Sequence, residues 1–260
     1  ASKSLESVIE ETKHLVAQGV REINLVAEDT TGYGRDLSSG SPRLPQLVEA
    51  MANVEGLRWL RIMYAYPNQF PWELVDVIND YPNVLPYLDI PTQHISTKVL
   101  KSMQRGGNSD SVRRIMHRLR EEVPGIALRT TVLVGHPGEG PAEFQELLNW
   151  IEEFRFERLG AFAFSPEASA PAGQAPARGS EKEALERQSE LMSLQSEVHL
   201  NFQKQLIGKK LTVLVDESRE EVAIGRTWAD APEVDGIVEI DDSLHNLSTG
   251  SMVEATITDV

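Results

Sequence analysis

The sequence predicts an α/β fold, a parallel sheet or TIM-like (β/α) barrel, followed by a small antiparallel β-barrel. Three observations carry this expectation. Strand-like and helix-like patterns alternate five times over roughly 160 residues, the signature of a parallel sheet or barrel. One extended run, Leu128 to Val134, breaks into Gly135-His-Pro-Gly-Glu139 and then into a helical pattern, so its carboxyl end lies where such folds place ligands. Past Gly208 the texture changes to short β-like runs separated by turn residues.

Taken in order, Leu5, Val8, Ile9, Thr12, Leu15 and Val16 recur at helical spacing, with Gly19 as a C-terminal cap. Ile23–Ala27 is a strand ending at Glu28-Asp-Thr-Thr-Gly-Tyr-Gly34. A helix over Leu44–Val54, a strand over Trp59–Ala65 and a helix starting near Pro71 follow. Val84–Ile90 is a strand leading into Pro91-Thr-Gln-His94, then come helices over Ser96–Met103 and Ser109–Glu122. The helix from Pro141 to Phe154 starts just past the glycines, as a helix N-terminus facing a ligand does. Leu159–Phe164 is the fifth strand. Ser165–Ser180 is rich in Ala, Pro and Gly without a period and is predicted to be a linker. Glu181–Ile207 is one long helix, and Leu211–Val215, Val222–Gly225, Gly236–Ile240 and Met252–Ile257 are the strands of the small barrel. The domain division expected is 1–165, 166–204 and 205–260.

A chain of 260 residues with 40% apolar and 25% charged residues is an ordinary globular protein. Its net charge of -15 argues against a generic phosphate-backbone binder and favours a basic protein partner. No apolar run approaches the ~20 residues of a membrane span, and the first residues are polar, so a soluble, cytoplasmic protein is expected. There is no cysteine, which excludes disulfides, zinc thiolates and iron–sulfur ligation by these residues. The start at Ala1-Ser-Lys-Ser without Met fits either Met removal or a fragment.

Three strands carry polar residues where parallel strands are usually apolar on both faces: Arg61, then Tyr87 with Asp89, then Arg129 with Thr131. Side chains alternate along a strand, so Arg129 and Thr131 share one face and Thr130, Val132 and Val134 the other. Two readings stand. These residues pair with one another inside a barrel, for example Asp89 with Arg61 or Arg129, because buried charges are costly unless paired. Alternatively they hold a ligand bearing both carboxylate and ammonium groups. Asp29, Thr30, Gln93, His94 and Glu139 lie in loops at strand ends and fall on one rim if the strands are parallel. His94 is either a ligand contact or a structural hydrogen-bonder. Gly135 and Gly138 either make a turn before a helix or let the backbone approach a ligand. No Lys follows them, so they are not a phosphate loop, and no catalytic triad order or metal-ligand spacing is present.

Four segments resemble, in order and spacing, the radical S-adenosylmethionine methylthiotransferases: Ala27-Glu-Asp-Thr-Thr-Gly-Tyr-Gly34, Leu88-Asp-Ile-Pro-Thr-Gln-His-Ile-Ser96, Arg129-Thr-Thr-Val-Leu-Val-Gly-His-Pro-Gly-Glu139 and Phe162-Ala-Phe-Ser-Pro-Glu167. The tail from about Gln205 resembles that family's TRAM domain, an OB-like barrel. Gly225-Arg-Thr-Trp-Ala-Asp-Ala-Pro-Glu-Val-Asp-Gly236 is similar to the form in the branch acting on a ribosomal-protein aspartate. The resemblance implies a partial barrel of the radical SAM type with two [4Fe-4S] clusters, one cleaving S-adenosyl-L-methionine and one delivering sulfur, and an electron donor for cluster reduction. It puts Gln93, Arg129 and Thr131 along the cofactor, Gly135 and Glu139 at its adenosyl end, and His94 and Asp29 on the rim. Arg61 and Asp89 join this cofactor-binding set through the polar strand faces. The family's C-x-x-x-C-x-x-C loop is not among these residues, so this chain by itself is expected to bind no cluster and to be inactive. Glu28, Thr92 and His136 stand where the family favours Gln, a larger apolar residue and Phe.

Residues 205–260 hold four Lys and Arg (Lys209, Lys210, Arg219, Arg226) against twelve Asp and Glu. Such a surface repels a phosphate backbone and attracts a basic protein; plain solubility reads the same composition. The resemblance and the charge together imply the core and TRAM portion of an aspartate methylthiotransferase acting on a basic small-subunit ribosomal protein. Asp230, Glu233 and Asp235 are the expected substrate contacts. A tRNA-adenosine methylthiotransferase and a cluster-free ribosomal-protein-binding module are the alternatives.

Overall fold

The computed structural model describes residues 1–38, 43–166, 179–243 and 247–260. Five parallel strands form one sheet in the order β1 (Glu22–Leu25), β2 (Trp59–Ile62), β3 (Val84–Asp89), β4 (Ala127–Val134) and β5 (Arg158–Ala163). Between them run α1 (Leu5–Ala17), α2 (Leu44–Ala52), α3 (Glu73–Asp80), α4 (Thr97–Ser102), α5 (Ser109–Glu122) and α6 (Pro141–Phe154). Each strand lies beside its predecessor, as in a barrel and unlike a doubly wound sheet. With crossovers of one hand, that order returns every helix to the same side. The sheet therefore has an outer face covered by helices and an inner face that its crossovers leave open.

The outer face is apolar. Leu60, Ile62, Leu88, Ile90, Leu128, Val132 and Val134 form one buried core with Val48, Leu74, Ile78, Met116, Leu119, Leu147 and Ile151 of the helices. Each such side chain contributes roughly 1.5–3 kcal/mol of transfer free energy, so this layer holds the sheet together. Helix starts follow local chemistry: Ser4 caps α1 by accepting from the Ser7 amide at 3.3 Å, Asn108 caps α5 by accepting from Ser111, and Pro141 opens α6.

Element order agrees with the sequence expectation, and several boundaries move. β2 stops at Ile62 rather than Ala65, because Tyr64 turns to φ 54° and leaves the ladder. β5 begins at Arg158, and α3 begins at Glu73, two residues past Pro71. Most of the predicted linker, residues 167–178, lies outside the described residues.

The long helix α7 (Glu181–Lys204) is capped by Ser180 and Glu183 and lies along β5 and α6. Gln188 Nε2 donates to the Ala161 carbonyl at 2.7 Å and Gln195 Nε2 to the Phe156 carbonyl at 3.0 Å. These bonds cover an edge strand that would otherwise expose its backbone. The helix is thus packed into the large unit and does not merely connect it to the tail.

The tail forms an antiparallel sheet of β6 (Lys210–Ser218), β7 (Val222–Arg226), β8 (Val238–Asp241) and β9 (Met252–Thr256), in the order β8-β7-β6-β9. A Cβ at Gly225 would sit 2.4 Å from the Leu214 carbonyl oxygen, so the β6–β7 pairing requires glycine there. Among the described residues no helix is long and apolar enough to cross a membrane.

Candidate functional site

The inner face of the large sheet carries the polar residues singled out from the sequence, and the tail covers its lower, amino-terminal half. Trp59, Met63, Leu85, Tyr87 and Ala127 of the sheet pack with Leu214, Ala229 and Ala231 of the tail, flanked by Phe202, Trp228 and Met252. Burying that apolar layer carries the β7–β8 connection, residues 227–237, up against the sheet's charges.

Arg61 is fully buried there. Its Nε donates to Glu22 Oε1 at 3.0 Å, its Nη1 to the Trp228 carbonyl at 2.6 Å, and its guanidinium lies 4.4 Å from the Tyr87 ring centroid. Glu22 also meets Arg226 Nη2 at 2.7 Å, and Arg226 Nε meets Asp216 at 2.7 Å. On β5, Arg158 donates to Asp230 and, at 3.2 Å, to the Ala229 carbonyl. Asp235 accepts from the Tyr87 hydroxyl at 2.7 Å and the Ala231 amide at 2.9 Å. Burial, reinforced by Asp235, pushes the Tyr87 phenol far above its ordinary range, so it remains a donor. A buried charge is tolerated only when paired, and these arginines find their partners largely in the tail.

Two sequence expectations change in consequence. Arg61 pairs with Glu22 and the tail rather than with Asp89. Asp230 and Asp235 are turned into the sheet, with side chains 6% and 3% exposed, so they do not form an acidic docking face. Of the three expected substrate contacts only Glu233 is exposed.

Above this floor opens a trough of about 1310 Å³, lined by Asp29, Gln93, Arg129 and Thr131 from the expected set, and by Asn24, Tyr64, Phe162 and Val234. It exceeds the roughly 300–1,000 Å³ of a small-ligand pocket, leaving room for a cofactor and a substrate side chain. Alternating burial along β4 puts Arg129, Thr131 and Leu133 on the trough side and Thr130, Val132 and Val134 in the core. Two non-glycine residues in the left-handed region, Tyr64 at φ 54° and Gln93 at φ 66°, line the trough at the ends of β2 and β3. Such strain concentrates at functional sites and persists only where neighbours enforce it. Here the Gln93 amide donates to the Thr131 carbonyl at 2.9 Å and its carbonyl accepts from Leu133 at 2.8 Å. Asp29 caps the 3₁₀ turn Thr30–Gly32 by accepting from the Thr31 amide at 2.9 Å.

Asp89 stands directly behind the trough. It accepts from Arg129 Nη1 at 3.1 Å and from the Tyr64 amide at 3.2 Å. Burial raises the Asp89 carboxyl above its usual range, and Arg129 pulls it back. His94, Gly135 and Glu139 form a separate constellation. His94 Nδ1 accepts from the Ser96 amide at 2.9 Å, so Nε2 carries the proton and donates to Glu139 Oε2 at 3.1 Å. Glu139 also accepts from the Gly135 amide at 3.0 Å and from Arg187 of α7 at 2.6 Å. Burial alone would raise the Glu139 carboxyl; His94, the Gly135 amide and Arg187 outweigh it and hold it low. This knot ties two loops to α7 and does not line the trough. Gly135 is glycine for α7's sake, since a Cβ there would lie 2.4 Å from Ala184 Cβ.

S-adenosylmethionine fits the trough's chemistry. Arg129 suits its carboxylate, Gln93 and the Thr131 hydroxyl offer hydrogen bonds, and Asn24 Oδ1 is a buried acceptor with no partner among the described residues. Iron–sulfur ligation does not fit this chain. It has no cysteine, and among the described residues no group of three His, Cys, Asp or Glu could hold a metal ion. Sequence reasoning missed Glu22, Asn24, Tyr64, Arg158 and Arg226. Of these, only Glu22 had a signal: Arg61, Arg129 and Arg158 outnumber the carboxylates on their strands, which calls for acidic partners.

Residues 1–151 match the radical SAM superfamily and residues 207–260 the TRAM domain. The chain is 41% identical over 260 residues to a protein of Carboxydothermus hydrogenoformans named ribosomal protein uS12 methylthiotransferase RimO, covering 99% of this chain and 59% of that protein. A protein of the same name from Geobacter sulfurreducens is 43% identical over 261 residues, covering 99% and 58%. The chain therefore spans less than two thirds of the length of these relatives. Among solved structures, coproporphyrinogen III oxidase HemN from Escherichia coli superposes with a TM-score of 0.57 at 12% identity, covering 75% of this chain and 46% of that one. The radical S-adenosylmethionine methyltransferase TsrM from Kitasatospora setae gives 0.52 at 19%, covering 66% and 33%. These two likenesses concern the fold alone. The chain belongs to the radical SAM superfamily and carries a TRAM domain in its tail.

Proposed function

We propose that this chain is the cofactor-binding and TRAM portion of a methylthiotransferase that attaches a methylthio group to an aspartate of ribosomal protein uS12 by radical SAM chemistry. The observation that carries the reading is the 41–43% identity, over nearly the whole chain, to proteins named for that activity. In this reading residues 1–165 hold the cofactor, α7 (Glu181–Lys204) runs along the sheet edge, and 205–260 face the substrate protein.

When bound to a reduced cluster, S-adenosylmethionine would supply the radical that takes a hydrogen atom from an unactivated carbon. The residues of this chain bind and orient. Arg129 and Gln93 fix one end of the cofactor, Thr131 contributes a hydroxyl, and the tail floor keeps water from the sheet's inner face. Tyr64 and Phe162, 44% and 62% exposed, line the upper wall where a substrate loop enters. The cluster thiolates are not among these 260 residues, so this chain alone is expected to assemble no cluster and to leave S-adenosylmethionine intact. An electron donor belongs to the same reading.

The buried acidic loop removes Asp230 and Asp235 from the substrate surface, but Glu217, Glu220, Glu221, Glu233, Glu239 and Glu254 stay exposed on the tail. A basic protein suits that surface better than a polynucleotide. The test offers the chain purified uS12 and tRNA and measures binding against salt concentration. Salt-sensitive binding of uS12 with no binding of tRNA is expected. Retention of tRNA alone would favour the tRNA-modifying alternative.

A further inference from the structure

We infer that Asp235 is a positioning residue of the trough: it orients the Arg129 guanidinium, so the small antiparallel domain builds part of the cofactor site in the large one. The inference rests on the reading that Arg129 receives the cofactor, although the orientation itself stands without it.

The guanidinium of Arg129 has three edges to satisfy. Asp89 of β3 takes Nη1 at 3.1 Å. Asp235 Oδ1, from the β7–β8 connection, faces Nε at 3.5 Å. The side chain keeps 16% of its surface open, and Arg129 lines the trough. Two carboxylates thus flank the guanidinium, one at Nη1 and one near Nε, and leave its open surface for a ligand oxygen. An arginine side chain otherwise spreads over many rotamers, a freedom that fixed partners remove before a ligand arrives.

Asp235 is itself held from two sides. Its Oδ2 accepts from Tyr87 at 2.7 Å and from the Ala231 amide at 2.9 Å, leaving Oδ1 turned toward Arg129 and, at 3.9 Å, Arg158 Nε. The loop is bent to bring it there, with Glu233 at φ 67°, a conformation costly for a non-glycine residue. The neighbouring Val234 lines the same trough. Solubility of an acidic tail explains none of this, because Asp235 is buried. A purely structural latch between domains explains the Tyr87 contact, yet needs no carboxylate oxygen turned toward an arginine that lines the trough.

The experiment records the Nε–H resonance of Arg129 in the ¹⁵N-labelled chain, together with S-adenosylmethionine titrations, for the wild type, Asp235→Asn and Tyr87→Phe. In the wild type a slowly exchanging Arg129 Nε–H is expected. Asp235→Asn, which keeps the shape, should lose that protection and weaken S-adenosylmethionine binding about tenfold. In an Arg129→Gln background, Asp235→Asn should weaken binding no further. Tyr87→Phe, which frees one side of Asp235 and leaves the fold closed, should show a smaller loss of the same sign, and keeps the test valid if Asp235→Asn does not fold. An unchanged Arg129 resonance in folded Asp235→Asn would overturn the inference. A resonance that responds while no protein binds S-adenosylmethionine would uphold the orientation and overturn the cofactor reading instead.

Discussion

Arg61→Met is expected to destabilise the protein by about 3 kcal/mol, the low end of the roughly 3–5 kcal/mol cost of removing one partner of a buried ion pair. The substitution keeps the aliphatic stem and deletes the guanidinium that meets Glu22 and the Trp228 carbonyl. Glu22 keeps Arg226 at 2.7 Å, which moderates the loss, while the Trp228 carbonyl is stranded beside the apolar layer of Trp59 and Ala127. Against a typical total stability of roughly 5–15 kcal/mol this is a large fraction. Urea unfolding of the variant and of a surface control, Arg219→Met, measures it; the control should not move the midpoint, because Arg219 is 60% exposed and its partner Glu217 is exposed as well. A midpoint for Arg61→Met equal to the wild type would remove the reason for assigning the tail as the floor of the sheet.

Gly135→Ala is expected to cost a similar amount for a different reason. Gly135 sits at φ 77°, where an L side chain is strained by roughly 1–3 kcal/mol. The added methyl also meets Ala184 Cβ at 2.4 Å and Cα at 3.0 Å, and overpacking of this kind costs another roughly 1–3 kcal/mol. Relief requires α7 to withdraw, which pulls Arg187 from Glu139 and loosens Gln188 from β5. In an Ala184→Gly background part of the loss should return, since the Cβ clash is gone while the 3.0 Å approach to the residue 184 Cα and the backbone strain persist. Thermal unfolding of the four proteins decides it, and an identical penalty in both backgrounds would refute the packing explanation.

These two positions mark how far the sequence reaches. Alternation along Leu128–Val134, the amphipathic helices and the turn residues are local patterns, so the parallel sheet and the antiparallel tail could be read from them. The polar inner face was equally legible, because Arg61, Asp89 and Arg129 break a run of apolar residues. What covers that face was not. Asp230 and Asp235 lie in an acidic tail and look like solvated charge; only the fold returns them to Arg158 and Arg129, 72 residues away in one case. Gly135 illustrates the same limit. A glycine after a strand serves a ligand or a helix equally well, and the decision rests on Ala184, which a distant helix brings in.

His94 and Glu139 follow the same logic. Their order after two strands suggested a ligand rim, and their side chains are fully buried in a knot with Arg187. The expected residues that do face the trough are Arg129 and Thr131, on strand positions whose periodicity fixes their direction, Gln93, held by its backbone bonds to β4, and Asp29, on the loop after β1.

In the proposed reading the tail floors the inner face and leaves the trough above Arg129 and Thr131 for S-adenosylmethionine. Amide hydrogen exchange of the chain, with and without saturating S-adenosylmethionine, checks this placement. Slowed exchange confined to residues 26–33, 64–66, 91–94 and 129–133 is the expected result. Slowing at the glycine loop 135–140 with none at 91–94 or 129–133 would contradict it.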